Sequence, residues 1–260
     1  MLKRIINRLL PRSTQQDRPE PSYRAPVSIP GGNERIYHVH IRKTAGSSIN
    51  HAFMAASGGD DQKIYDDIIA APDHLVECNG FVYQGWEFEK IQAGNYFFAF
   101  SHNPFWGLNL PPKTFTITCF RDPIKRVLSH YKMLKHYEES KIDHPCMKTE
   151  GAWMGSSLED FAHNIPGDRL LNQLFMFSEA LDIQEALNSC QKIDRILFTE
   201  NLQENLDDLG KYLGLTLPTQ HRKKTSDRPF PDQAIETLRE RLDPEYRFLE
   251  MLKQNQQAAI

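Results

Sequence analysis

The 260-residue chain lacks several features that would place it in a common functional class. Its four cysteines form no Cys-x-x-Cys pair and have no zinc-ligand spacing, so we expect no metal site. They are consistent with a reducing compartment, although four cysteines can also form two disulfides. The net charge is −3, so we expect no nucleic-acid partner, and any anion site must be local.

A long apolar run is also missing. Residues 1–11 place basic and apolar side chains at helical spacing, but Asn7 and Arg8 interrupt the apolar face. The segment is too short to span a bilayer and has no signal-peptide cleavage site. It could rest weakly on an anionic membrane surface or form a docked terminal helix. Because no membrane anchor is visible, we expect a cytoplasmic protein.

The pattern along the chain predicts one α/β domain. Residues 1–34, rich in Pro, Arg, Ser and Gln, are typical of a flexible basic leader, and the domain is expected to cover 35–260. Strand-like and helical segments alternate after the leader, which favours a mainly parallel central sheet flanked by helices. The predicted strands are residues 36–41, 96–100, 114–120 and 195–199.

Helical patterns fill most of the remaining chain. Residues 140–155 lack periodicity and are predicted to form a surface loop. The predicted helices are residues 49–56, 123–137, 157–163, 169–177, 179–190, 202–213 and the segment from 233 onward.

The segment of residues 43–48, which we call the 43–48 turn, follows the first predicted strand and precedes a helix. Small residues let backbone N–H groups surround an anion, and a helix N-terminus adds a favourable field. The order differs from the GxxxxGK[ST] motif of nucleoside triphosphatases, because Lys43 comes before Gly46. On its own, the turn could equally be a serine-rich helix cap. Its residues are Lys43, Thr44, Ala45, Gly46, Ser47 and Ser48.

A second candidate anion site follows the strand at 114–120. Arg121 stands where this strand ends, and its planar guanidinium can bind a phosphate through two N–H groups. Ser129 lies on the following helix, on the same face as Arg126 by i, i+3 spacing. Together they could hold a phosphate separate from the first. Alternatively, Arg121 forms a structural ion pair with Asp122 and Ser129 is solvated.

The two motifs together resemble the sulfotransferase superfamily, and within it the Golgi-type carbohydrate enzymes, most closely the heparan and uronyl 2-O-sulfotransferases. The 43–48 turn is similar to their 5′-phosphosulfate loop, PKTGGTS, and residues 120–131 are similar to their 3′-phosphate motif, RDPxxRxxSxY. Residues 100–105 resemble the segment that carries their catalytic histidine. Residues 198–202, 213–215 and 224–229 resemble later elements, the last being a basic loop over the nucleotide.

The chain departs from the family pattern at three positions. Arg42 stands where the family has proline, and Ala45 where it has glycine. Ser101 replaces the glycine before the histidine. These departures leave open a non-catalytic nucleotide-binding module of the same fold. A small-molecule kinase is a further alternative, which would require a GK[ST] motif and an acidic magnesium ligand.

The resemblance implies a P-loop-like sulfotransferase fold and 3′-phosphoadenosine 5′-phosphosulfate (PAPS) as the sulfuryl donor, without a metal. The 43–48 turn would bind the 5′ end of the donor, with Lys43 stabilising the leaving phosphate oxygen. Arg121 and Ser129 would bind the 3′-phosphate, while Lys224 and Arg228 would close over the nucleotide.

His102 would be the base that deprotonates the acceptor hydroxyl, although it could instead only cap a loop. The acceptor is expected to be a carbohydrate. Residues 59–86 and 140–155 would contact it, and three tryptophans could line its cleft or belong to the core. These are Trp86, Trp106 and Trp153.

Overall fold

In the computed structural model of the chain, residues 25–219 and 230–258 are described. They form an α/β architecture whose mainly parallel sheet is flanked by helices, as the sequence predicts. The strands are β1 (Arg35–Val39), β2 (Leu75–Cys78), β3 (Phe81–Gly85), β4 (Phe98–Ser101), β5 (Thr114–Phe120) and β6 (Arg195–Phe198).

The six strands lie in the order β2-β3-β4-β1-β5-β6. The β2–β3 pair is antiparallel, and the four other neighbouring pairs are parallel. The helices are α1 (Gly46–Ala55), α2 (Asp61–Ala70), α3 (Phe88–Ala93), α4 (Pro123–Glu139), α5 (Pro145–Glu150), α6 (Leu158–Asn164), α7 (Gly167–Leu170), α8 (Asn172–Phe175), α9 (Ile183–Cys190), α10 (Leu202–Leu213) and α11 (Asp232–Ala258).

Successive side chains of the buried strands point to opposite faces of the sheet and contribute to two cores, one on each face. On one face, Ile36 and its neighbours pack against α1, α2 and α10. On the other face, Tyr37 and Val39 pack against α9 and α11. A third cluster joins α4, α6 and α11 around Phe161. The two-sided covering explains why the central strands β1, β4 and β5 are buried at nearly every position.

The region 59–86, interpreted from sequence as loop, contains α2 and the β2–β3 hairpin. The hairpin turn has positive φ at both Asn79 (51°) and Gly80 (80°), as a type I′ turn requires. The Asn-Gly pair between two strand-like runs is the sequence signal that identifies this hairpin. Acceptor contacts from this region would therefore come from regular structure.

The predicted loop at 140–155 is also wrong, because it contains α5. Pro145 begins this helix, and the His144 side chain accepts a hydrogen bond from the Cys146 N–H at its N-terminus. Glu150 at the C-terminal end is only 5% exposed. The prediction failed because a six-residue helix is too short to show a period.

Part of the segment assigned to the leader lies on the domain. Ile29 is buried in the first core, and Val27 packs against it. Within the described residues, no helix has the length and apolar character needed to cross a bilayer. The described residues include every cysteine of the chain, and all are free: Cys78, Cys119, Cys146 and Cys190.

Candidate active site

Three neighbouring strands bring the predicted site residues to one edge of the sheet. β1 lies between β4 and β5 and pairs in parallel with both. Lys43 follows β1, His102 directly follows β4 and Arg121 directly follows β5. Ligands of open α/β sheets bind outside the carboxyl ends of the strands. The three motifs therefore converge where a ligand is expected.

The 43–48 turn has the backbone geometry of an anion cradle. Lys43 (φ 69°) and Ala45 (φ 63°, ψ 15°) are left-handed, and α1 begins in the right-handed region at Gly46. A left-handed residue next to a right-handed one directs successive N–H groups into a concavity suited to anions. No described side chain caps α1 at Ala45. The N–H groups of the first turn have no partner within the helix.

Gly46 is required because the imidazole of His40 lies directly beside it. A Cβ atom at this position would lie 1.9 Å from His40 Cδ2 and 2.0 Å from Nε2. The turn can therefore approach β1 only with glycine at this position.

The hydroxyl groups of the turn differ in their environment. Thr44 is fully buried, and its hydroxyl donates a hydrogen bond to the Ile41 carbonyl at 2.9 Å. Its side chain thus closes the turn, and its backbone N–H remains the group suited to an anion. Ser47 is exposed and Ser48 half-buried at the start of α1. The hydroxyls suited to a bound anion are those of the two serines.

Arg121 links the two anion motifs. Its Nη1 donates to the carbonyl oxygen of Lys43 at 3.1 Å. Asp122 has other partners, because it accepts from the Lys125 N–H at 2.8 Å and from the Tyr246 hydroxyl at 3.1 Å. These contacts favour the anion-site interpretation of Arg121 over the ion pair with Asp122. Ser129 is half-buried on α4, two turns after Arg121.

His102 is held in the tautomer that a general base needs. Its Nδ1–H donates to the His40 carbonyl at 2.7 Å, which leaves the Nε2 lone pair as the proton acceptor. The residue as a whole is exposed, although its hydrogen bond to His40 is partly buried. Desolvation by the protein atoms around it, and secondarily the charge of Arg42, lower the pKa of His102 below its ordinary value of 6.5. The ring is therefore neutral at pH 7.

Two further histidines lie behind His102 in the sheet. The His40 ring is 4.3 Å from the His102 ring and 5.1 Å from the His38 ring, centroid to centroid. His38 Nδ1 shares a hydrogen bond with Asn50 Oδ1 at 2.7 Å. Burial lowers the pKa of His38 to about 4 and that of His40 well below its ordinary value. Both are neutral and enclosed, so His102 is the histidine that can meet an acceptor.

Sequence analysis missed Glu150, whose carboxylate contacts one residue beside each of the two anion motifs. One carboxylate oxygen accepts from Arg42 Nη1, and the other accepts from His130 Nε2 at 2.7 Å. Burial opposes ionisation of Glu150, but the His130 hydrogen bond and the charge of Arg42 outweigh it and lower its pKa. Arg42 precedes Lys43 and His130 follows Ser129, so one buried carboxylate connects both halves of the site.

The three tryptophans lie at different distances from this site. Trp86 packs on Phe100, two residues before His102, with ring centroids 5.1 Å apart. Trp153 lies 6.2 Å from the ring of His130. Trp106 instead donates to the Phe175 carbonyl at 2.7 Å. Only the first two are tied by contacts to residues of the site.

Two of the predicted donor-binding residues, Lys224 and Arg228, lie outside the described residues. Among the described residues, no group of three or more His, Cys, Asp or Glu side chains is arranged to hold a metal ion.

Comparison with known proteins adds no family assignment. No protein-family model matches the chain. No curated protein matches it significantly either. The residues and their geometry therefore carry the functional interpretation.

Proposed function

We propose that this protein is an O-sulfotransferase that moves the sulfuryl group of PAPS onto a hydroxyl of an acceptor, expected to be a carbohydrate. The observation that carries the proposal is the 3.1 Å hydrogen bond from Arg121 to the Lys43 carbonyl, at the sheet edge where β4 also places His102. It supports a single site with two adjacent anion-binding parts. PAPS is a nucleotide with two separate anionic ends, a 5′-phosphosulfate and a 3′-phosphate.

The donor would bind across the carboxyl ends of β1 and β5. The concave 43–48 turn and the N-terminus of α1 suit the 5′-phosphosulfate. The guanidinium of Arg121 and the hydroxyl of Ser129 suit the 3′-phosphate. Holding both ends of the donor would fix the sulfur for in-line attack.

Transfer then requires a base and a stabilised leaving group. His102 Nε2 would take the proton of the acceptor hydroxyl as the acceptor oxygen bonds to sulfur. The bond between sulfur and the 5′-phosphate oxygen breaks, and that oxygen leaves with the electron pair. Lys43 and the N–H groups of the turn would stabilise its negative charge. The products are a sulfate ester and 3′-phosphoadenosine 5′-phosphate, with the proton on His102.

A cluster of aromatic rings that includes the partly buried Trp86 lies near the base. Trp86 has positive φ (47°), and its ring packs against Phe100, Tyr65 and His74. Sugar rings commonly pack on aromatic faces, and β4 carries Phe100 towards His102. Phe100 is fully buried, so Trp86 is the ring of this cluster that would meet a carbohydrate acceptor.

Nucleotide binding tests the donor site. We expect 3′-phosphoadenosine 5′-phosphate to raise the melting temperature of the protein, with AMP and ATP as controls. Stabilisation specific to the nucleotide with a 3′-phosphate supports two cooperating anion sites. An equal shift with ATP, or no shift, would refute the link between Lys43 and Arg121.

Turnover tests the chemistry. We expect Lys43→Ala and His102→Ala to lower the rate of sulfate transfer by about 10²-fold or more, and His102→Ala to preserve donor affinity. His136→Ala, at an exposed histidine near the end of α4, is the matched control. Wild-type turnover in His102→Ala would exclude His102 as the base.

A further inference from the structure

A buried glutamine holds the backbone of Arg121. β5 ends at Phe120, and there the side-chain amide of Gln173 pairs with the next residue. The Arg121 N–H donates to Gln173 Oε1 at 2.8 Å, and Gln173 Nε2 donates to the Arg121 carbonyl at 3.0 Å. Both backbone groups of Arg121 are therefore fixed by one side chain, although the strand itself has ended.

The amide of Gln173 is fixed in turn by Glu245 of α11. Gln173 donates its backbone N–H to Glu245 Oε1 at 2.7 Å and its Nε2 to Glu245 Oε2 at 3.1 Å. A carboxylate accepts only, so it orients the Gln173 NH₂ group and presents Oε1 to Arg121. Both side chains are fully buried.

A charge pair completes this network. Arg126 Nε lies 3.7 Å from Glu245 Oε2, and both side chains have no exposed surface. Arg126 also donates to the Leu170 carbonyl, at the end of α7. The network thus draws on α4, α8 and α11 and ends at the backbone of the residue assigned to the 3′-phosphate.

Burying such a network costs desolvation free energy that an apolar core does not. Buried ion pairs contribute little net stability, and apolar side chains of similar volume often serve as well or better. Directional hydrogen bonds, however, fix position in a way that apolar packing does not. This network fixes the backbone from which the Arg121 guanidinium reaches the Lys43 carbonyl.

We propose that Gln173 is a positioning residue for the 3′-phosphate site, held in place by Glu245 and Arg126. This inference rests on the proposed function, because it gives Gln173 a role in recognising the 3′-phosphate of the donor. Gln173 contacts no reacting atom. Its removal should weaken recognition of that phosphate specifically, whereas a merely structural residue would change all nucleotide binding or only stability.

The test compares the affinities of two nucleotides, 3′-phosphoadenosine 5′-phosphate and AMP, which differ by the 3′-phosphate. We expect Gln173→Met to reduce the ratio of these affinities about tenfold, the size of one lost charge-assisted interaction, and to leave AMP binding nearly unchanged. Gln84→Met is the matched control. Gln84 is also buried and bound to backbone carbonyls, and it lies on β3, which β4 and β1 separate from β5.

The outcomes separate this inference from the proposed function. A wild-type protein without preference for the 3′-phosphate overturns both. A preference that Gln173→Met retains overturns the positioning role alone, as does an equal loss in Gln84→Met. If Gln173→Met does not fold, Glu245→Gln provides the second variant, since it keeps the shape and weakens the hold on Gln173. A reduced ratio in Glu245→Gln supports the inference, and an unchanged ratio overturns it.

Discussion

Ala45 allows a direct test of the geometry of the 43–48 turn. At φ 63° and ψ 15° it occupies the left-handed region, where a side chain with a Cβ costs about 1–2 kcal/mol. Glycine adopts this conformation without that cost. Replacing alanine by glycine also raises the conformational entropy of the unfolded chain, and this offsets about 0.4–1 kcal/mol of the gain in stability. We therefore expect Ala45→Gly to raise the free energy of unfolding by about 0.5–1 kcal/mol.

Urea unfolding followed by circular dichroism measures this change. Ala52→Gly is the control, because Ala52 lies inside the same helix, α1. Glycine in place of alanine within a helix should lower the free energy of unfolding by about 0.5–1 kcal/mol. The two identical substitutions should thus shift the midpoint in opposite directions. If Ala45→Gly is as destabilising as Ala52→Gly, the left-handed conformation of the turn is incorrect.

Two further predictions concern the same edge of the sheet. Gly46→Ala should lower the free energy of unfolding by about 1–3 kcal/mol in urea titrations and abolish nucleotide binding, because the new methyl group overlaps the His40 ring. A fully stable, binding-competent Gly46→Ala protein would contradict this contact. The folded protein should also lose stability as the pH falls below about 6.5, because burial lowers the pKa of His38 to about 4 and the unfolded chain takes up the proton first. A urea midpoint that stays constant from pH 7 to pH 5 would refute this linkage.

Local signals explain which parts of the fold sequence could predict. β5 was predicted over its full length because residues 114–120 are a continuous β-branched and aromatic run. α10 was predicted over its full length because Gly214, at φ 67°, ends it with a left-handed cap. The β2–β3 hairpin was missed although its Asn-Gly turn is a local signal, since β2 is only partly buried and has no clear alternation.

In the candidate site too, residues within local motifs can be identified from sequence, whereas residues that act through contacts distant in sequence cannot. Lys43 and Arg121 were singled out as candidates because each stands at a strand end within a recognisable motif. Glu150 was not, because its contact with Arg42 joins residues 108 positions apart. Gln173 contacts Arg121 across 52 positions and Glu245 across 72. One sequence carries no pattern for such pairs, whereas the folded chain places them together.

The three departures from the sulfotransferase pattern bear on whether the site is catalytic. Two of the three side chains at these positions have polar partners in the fold. Here Arg42 is paired with the buried carboxylate of Glu150.

The hydroxyl of Ser101 has two partners, since it lies 2.7 Å from the Tyr37 hydroxyl and accepts from the Asn103 N–H at 3.1 Å. The second bond spans His102 and fixes the turn that carries it. At Ala45 the backbone is left-handed (φ 63°), as it is at Lys43 (φ 69°). Two of the three departures therefore have specific partners in the fold. These contacts are compatible with the proposed enzyme and with a non-catalytic nucleotide-binding module, and the transfer assay distinguishes the two.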